Sequence, residues 1–317
     1  MILALFVGVI AFALLSFTLW FRRDVERRFP AIGALVDLGA GRLHVVETAR
    51  AATRGAVVLV HGGSGNFADL HVALAGRLAD AGFRVFALDR PGHGWSDRLD
   101  APSPRRQAAR IVQAMQAEGV GEAIVVVHSL AGALGLAMAL DAPDFVRGLV
   151  LLAPVSHPWK GGVAWYYTAA TLPGLGWLLR WLIVPLAGLA TMRSALVATF
   201  APNPTPPDYR RRTGLDLLLR PSQFRANAED FVGLCAAARA LAPHYRHVQA
   251  PTVILMGAED RLVSADIHAR RLARDIPGAT LHMLPGIGHS PHFAAPEAVV
   301  AAVLDAERRA AMALQGS

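Results

Sequence analysis

The chain opens on an unbroken apolar run. From Met1 to Phe21 no residue is charged, and Arg22, Arg23, Arg27 and Arg28 follow at once. Coiled as a helix, a run of that length spans the ~30 Å hydrocarbon core of a bilayer. A cleaved signal peptide normally has positive charge ahead of its apolar stretch and small residues at its end. Here no charge precedes the run, which closes on Phe17-Thr18-Leu19-Trp20-Phe21. Residues 1–21 therefore read as a transmembrane anchor and residues 22–33 as a basic juxtamembrane linker. By the positive-inside rule, the arginine cluster places the rest of the chain in the cytoplasm.

The periodicity then changes. Ala34 to Leu38 and Arg42 to Glu47 alternate on either side of Gly39-Ala40-Gly41, the pattern of an antiparallel hairpin. Ala56-Val57-Val58-Leu59-Val60 is continuously apolar, as expected of a strand buried on both faces of a largely parallel sheet. A helical stretch (70–81), a strand (84–88), an amphipathic helix (105–118), a strand (123–127), a helix (130–140) and a strand (146–152) follow. This alternation predicts an α/β fold with a doubly wound sheet, in which active groups gather at the carboxyl ends of the strands. From about Val155 to Tyr245 the alternation stops, giving way to helical apolar runs, four tryptophans and a proline-rich turn (Pro202, Pro204, Pro206, Pro207). It resumes with strands at 252–256 and 280–284 and a closing helix over about 296–311. The predicted organisation is a core in two parts, 34–154 and 246–317, interrupted by a helical cap at 155–245.

Composition modifies this picture at two points. Hydrophobic residues make up 54% and charged residues 17%, and the mean hydropathy of +0.38 agrees with a membrane segment. The net charge of +7 raises the question of nucleic acid. The basic residues are nearly all arginine, with Lys160 the single lysine, and they are scattered apart from the juxtamembrane cluster and Arg210-Arg211-Arg212. No basic stripe interleaved with aromatics exists, so nucleic acid is not an expected partner; the first cluster suits anionic lipid headgroups instead. Cys235 is the only cysteine, which excludes an internal disulfide and fits a small apolar packing role.

The candidate chemistry lies at the strand ends. Val126-Val127-His128-Ser129-Leu130-Ala131-Gly132 sits at a strand-to-helix junction, where a tight turn lifts the serine hydroxyl above the sheet and the helix start offers free N–H groups. Serine is a poor nucleophile until a base takes its proton. Asp260 follows the penultimate strand in Gly257-Ala258-Glu259-Asp260, and His289 follows the last in Gly286-Ile287-Gly288-His289-Ser290. Three groups, each just past a different strand, converge on one sheet edge, as a Ser–His–Asp relay requires. A fourth element, His61-Gly62-Gly63-Ser64, can bring backbone N–H groups close to a developing oxyanion. The N–H groups of Gly63 and Leu130 are the candidate donors.

With these motifs in place, the sequence resembles the α/β-hydrolase superfamily from about residue 34 to the C-terminus, apart from the insertion. Four motifs in order carry the resemblance: the HGG loop, Asp89-Arg90-Pro91-Gly92-His93-Gly94-Trp95-Ser96, the HSLAG turn and the GIGHS loop. The resemblance implies a carboxylic-ester or related acyl hydrolase needing no metal or organic cofactor. Two positions depart from the family pattern: Val127 replaces a small residue two before the serine, and Ala131 replaces glycine two after it. A β-branched residue at Val127 is expected to crowd the turn.

Competing assignments are weighed residue by residue. Asp260 is preferred to Glu259 and Asp266 by its place in the G-x-x-D match, and His289 to His282 and His292 by its glycine-flanked loop. His128, His61, Asp89 and His93 are read as packing or loop-holding residues. Trp159, Trp165 and Tyr166 are the cap candidates for lining an acyl pocket, and Leu175 to Leu189, with Arg180 its only charge, is apolar enough to dip into a bilayer surface. The expected substrate is a small ester or a lipid-like molecule. A C–C bond hydrolase, an amidase or a perhydrolase would use the same triad, whereas relatives that dehalogenate or open epoxides carry aspartate at the Ser129 position. A binding module that kept the fold without catalysis is the reading favoured by Val127. Transport is disfavoured by the single span expected.

Overall fold

The computed structural model describes residues 1–49 and 52–315. Its first element is a helix, α1 (Ile2–Arg28), whose most apolar 18 residues have a mean hydropathy of 2.7 and are 6% buried. By length and composition this helix can cross a membrane. It does not stop at the arginines: residues 22–28, expected as linker, continue the same helix. The reason lies in spacing. Thr18, Phe21 and Val25 fall on one face and are buried, with Phe21 and Val25 packed against Met192, Phe200, Tyr209 and Leu215 of the insertion. Thr18 Oγ1 donates to the Trp181 carbonyl at 2.7 Å, Arg28 pairs with Asp216 at 3.2 Å, and Glu26 with Arg220 at 3.3 Å.

The core is an eight-stranded sheet in the order β1-β2-β4-β3-β5-β6-β7-β8. β1 (Ala34–Asp37) and β2 (Arg42–Thr48) form the expected hairpin, and β2 also runs antiparallel to β4 (Arg84–Leu88). The remaining pairs, from β3 (Ala56–Val60) through β5 (Ala123–His128), β6 (Val146–Leu152) and β7 (Thr252–Gly257) to β8 (Thr280–Leu284), are parallel. β5 is buried at all six positions, which explains its uninterrupted apolar sequence. Helices cover both faces. α2 (68–80) and α11 (Pro296–Gln315) pack on one, while α3 (Pro104–Ala117), α4 (Gly132–Asp141) and α9 (Ala269–Asp275) pack on the other.

The interruption after β6 is helical: α5 (Trp165–Thr171), α6 (Leu175–Phe200, with π-helical turns at Leu179–Ile183), α7 (Tyr209–Arg212) and α8 (Pro221–Leu241). A short α10 (Pro291–Ala294) precedes α11. α6 is a second helix long and apolar enough to span, with a hydropathy of 1.6 and 11% burial over its most apolar window. Only one such segment was expected. The strands that flank the insertion, β6 and β7, are parallel neighbours in a single sheet.

Val127 does not crowd the turn. It is fully buried, and both its γ-methyl groups lie 2.9 Å from the point a Cβ on Gly135 would occupy. The bulk that the sequence places before the serine is accommodated by a glycine in the first turn of α4.

Candidate active site

Three loops at the carboxyl edge of the sheet meet. Ser129 follows β5 directly and holds φ at +53°, the left-handed region that a non-glycine residue occupies at a cost of about 1–3 kcal/mol. That backbone turns the hydroxyl out of the sheet and starts the short 3-10 turn Ser129–Ala131 ahead of α4. Ser129 Oγ lies 2.9 Å from His289 Nε2, and His289 Nδ1 lies 2.8 Å from Asp260 Oδ2. The other carboxylate oxygen of Asp260 accepts from the N–H groups of Leu262 and Val263 at 2.8 and 3.0 Å. The Asp260 side chain is fully buried and that of His289 nearly so. Such a carboxylate selects the imidazole tautomer whose Nε2 lone pair faces the serine hydroxyl.

The HGG loop leans on this turn. A Cβ on Gly62 would lie 3.1 Å from the His128 carbonyl and 3.2 Å from Ser129 Cβ, and one on Gly63 would lie 2.4 Å from the Phe231 ring and 3.4 Å from Leu130 Cδ1. Only glycine lets the loop approach both the elbow and the cap so closely. Gly63 and Leu130, the candidate oxyanion donors, are thus neighbours. Gly62→Ala is expected to push the loop off the elbow and lower kcat by roughly 10²–10³-fold, the cost of one oxyanion donor, with KM nearly unchanged; steady-state kinetics on a chromogenic ester measures it.

The cap supplies partners that the sequence did not reveal. Asn227 of α8 accepts from the Ser64 N–H at 2.7 Å and donates to Ser64 Oγ at 3.1 Å. The Tyr167 hydroxyl lies 3.3 Å from the same oxygen, and its ring stacks on Phe231 at 4.6 Å. Burial pushes the Tyr167 hydroxyl pKa up to about 12, so it stays a neutral donor. Asn203 braces the histidine loop, donating to the Gly286 carbonyl at 2.9 Å and accepting from the Gly288 N–H at 3.0 Å.

Of the three aromatic candidates, Trp165 and Tyr166 point outward, at 75% and 44% exposure. Trp159 lies at the base of the cap against His268, its indole N–H donating to the Gly162 carbonyl. Tyr167 and Phe231 are the aromatics that reach the HGG loop.

The loop-holding residues lie around this centre. Asp89 accepts from the N–H groups of Phe67 and Trp95 and pairs with His44 at 2.7 Å. Arg90 is fully buried; it donates to the Gly62 carbonyl at 3.1 Å and to Asp230 of α8 at 2.6 Å. His61 and His93 are neutral, because burial and the adjacent Arg90 depress both pKa values well below the ordinary range. His128 Nε2 lies 2.9 Å from the His289 carbonyl, and burial, with His292 and His289 nearby, holds its pKa well below ordinary values. Asp69 packs beside it with His292 and Tyr209. Burial opposes ionisation of this carboxyl, but the two histidines and the tyrosine hydroxyl outweigh it and keep its pKa below the usual range.

The comparisons with known proteins agree with this architecture. The family described as alpha/beta hydrolase fold matches residues 55–296. A 2-hydroxy-6-oxononadienedioate/2-hydroxy-6-oxononatrienedioate hydrolase from Burkholderia vietnamiensis is 28% identical over 80% of this chain and 87% of its own length. Among solved structures, a membrane phospholipase A superposes with a TM-score of 0.69 at 22% identity, covering 97% of this chain and 96% of its own. An esterase from Exiguobacterium antarcticum superposes at 0.68 with 17% identity, covering 87% of this chain and all of its own. The chain belongs to the α/β-hydrolase family.

Proposed function

We propose that the protein is a membrane-anchored serine hydrolase that cleaves carboxylic esters with apolar, lipid-like acyl groups. The observation that carries this reading is the continuous line Ser129 Oγ–His289 Nε2 at 2.9 Å and His289 Nδ1–Asp260 Oδ2 at 2.8 Å, beneath an apolar roof of Phe231 and Tyr167. His289 takes the proton of Ser129 as Oγ attacks the ester carbonyl, and Asp260 stabilises the imidazolium that forms. The N–H groups of Gly63 and Leu130 receive the oxyanion. His289 then protonates the leaving alcohol, and in a second half-reaction it activates the water that releases the acid.

The apolar preference rests on what surrounds the serine. Leu130 follows it directly, Phe231 and Tyr167 stack over the adjoining HGG loop, and the nearby Arg90 and Arg98 are engaged by Asp230 and Glu229. The membrane assignment rests on α1 and on Trp20, Trp177, Leu178, Ile183 and Leu186, all exposed on α1 or on α6, which packs beside it. Tryptophans near the exit of an apolar helix are the residues that favour the headgroup zone. The superposition on the membrane phospholipase A, at 97% of this chain, leaves too few residues unmatched to exclude all of α1. A chain-length series of p-nitrophenyl esters tests the substrate class: octanoyl is expected to outrun acetyl in kcat/KM by at least ~10-fold, about the effect of two buried methylenes. A preference for acetyl contradicts it. A C-terminal reporter tests orientation, with signal expected only on the cytoplasmic side.

A C–C bond hydrolase is the second reading, favoured by the Burkholderia relative at 28% identity. A dienedioate substrate carries two carboxylates and would require cationic side chains free to meet them. Turnover of 2-hydroxy-6-oxononadienedioate faster than of any ester in the series selects that reading.

A further inference from the structure

Beside the elbow lies a buried group of polar side chains that the triad does not use. Asp69 at the start of α2, His128 at the end of β5 and His292 in α10 come together there, their side chains 9%, 8% and 1% exposed. One ring nitrogen of each histidine and one carboxylate oxygen lie within 4.8 Å of one another. We propose that this is a binding site for a divalent metal ion of the zinc class, with His128 Nδ1, His292 Nε2 and Asp69 Oδ2 as ligands.

Counting protons leads to it. The His289 carbonyl can only accept, so His128 Nε2, 2.9 Å away, carries the ring proton. His128 Nδ1 is then a lone pair, fully buried and without a hydrogen-bond partner among the described residues. It faces Asp69 Oδ2, another acceptor, at 3.8 Å. Two buried acceptors turned toward each other require a cation or donor between them. Asp69 Oδ1 is engaged by the Tyr209 hydroxyl at 2.8 Å, and His292 Nε2 lies 3.4 Å from each carboxylate oxygen, so Oδ2 is the oxygen without a closer donor.

Geometry and surroundings fit a metal. His292 Nε2 lies 3.4 Å from Asp69 Oδ2. Ligands held at ~2.0–2.1 Å from a tetrahedral centre are separated by about 3.4 Å, close to this pair and slightly inside the 3.8 Å of the other. Two nitrogens and one carboxylate oxygen are a zinc-type donor set with one position left for water. The outer shell is present for two of the three ligands. A metal-bound imidazole usually donates its second nitrogen to a carbonyl, as His128 does to His289, and a bound carboxylate is itself hydrogen-bonded, as Asp69 is by Tyr209. His292 Nδ1, in contrast, is buried without a partner among the described residues. A Cβ on Gly62 would stand 3.0 Å from His128 Nδ1; glycine keeps that side clear. An ion here fastens α2, β5 and α10 together, and through His128 it fixes the backbone of His289.

The test uses the full-length protein in detergent, stripped with a chelator and titrated with Zn²⁺ or Co²⁺ alone. The expected results are one ion per chain, a raised unfolding temperature and a Co²⁺ visible spectrum typical of four-coordinate nitrogen and oxygen ligands. His292→Ala and Asp69→Asn each weaken binding by about 100-fold or more, the upper range seen even for outer-shell losses, while Asp260→Asn, outside the cluster, leaves it unchanged. X-ray absorption on the unmutated Zn²⁺ form needs no variant and should show two imidazoles. Absence of stoichiometric binding, a site with fewer than two imidazoles, or unchanged affinity in folded His292→Ala would overturn the assignment. The serine hydrolase reading stands or falls separately, on labelling of Ser129.

Discussion

Ser129→Ala is expected to lower kcat on a preferred ester by roughly 10⁴–10⁶-fold, with His289→Ala falling in the same range and the double variant little worse than either. The near-equality is the informative part. Ser129 and His289 share one hydrogen bond of 2.9 Å, and neither makes a nucleophile without the other. Removing the second therefore costs little once the first is gone. Asp260→Asn should cost less, since it leaves nucleophile and base in place and disturbs only the tautomer and the imidazolium. A scaffold without catalysis would show no such order. Substrate binding is expected to survive in all three, because the roof of Phe231 and Tyr167 is untouched. Steady-state kinetics on purified variants, with circular dichroism to confirm folding, gives the ranking.

The second large effect concerns the join between core and cap. Asp230→Ala should destabilise the protein by about 3–5 kcal/mol, because it strips a buried guanidinium of its carboxylate. Arg90 is fully buried and Asp230 is 2% exposed at the side chain, with 2.6 Å between them. Gln107 and Arg98 bond to the same carboxylate at 2.9 and 3.2 Å. Loss of Asp230 leaves the fully buried Arg90 and the buried Gln107 to share fewer acceptors, while Arg98, 25% exposed at the side chain, can turn to water. The exposed pair Arg105–Asp141 is the contrast: Asp141→Ala should change stability by less than ~1 kcal/mol. In melting temperature the difference is roughly 6–20 °C against a few degrees at most. Activity should fall too in Asp230→Ala, since Arg90 also holds the Gly62 carbonyl of the HGG loop.

Most of the core was legible in the sequence because a buried parallel strand and its flanking helix each leave a strong periodic signature. Ser129, Asp260 and His289 were legible for the same reason, each standing directly after such a run. The cap was not. Asn227 meets Ser64 across 163 residues and Asn203 meets Gly286 across 83, and no local pattern announces a contact at that distance. Trp165-Tyr166-Tyr167 was recognisable as an aromatic run, but its phase was not. Successive helical residues point about 100° apart, so one ring reaches the site while its neighbours face solvent. The arginines after Phe21 suggested a linker, although Thr18, Phe21 and Val25 already carried the spacing of a docked helical face. Val127 was read as an obstacle because its compensation, Gly135, lies on another element. Asp69 and His292 went unnoticed as a pair because they are 223 residues apart and join only where α10 passes α2.

The central claim is that Ser129 is an activated nucleophile in the folded chain. Its most direct test is to react the full-length protein in detergent with a fluorophosphonate and map the adduct by peptide mass spectrometry. One phosphonyl group per chain on Ser129, absent from His289→Ala, is the predicted result. A folded protein that takes up no label, or takes it up at another residue, would contradict the account.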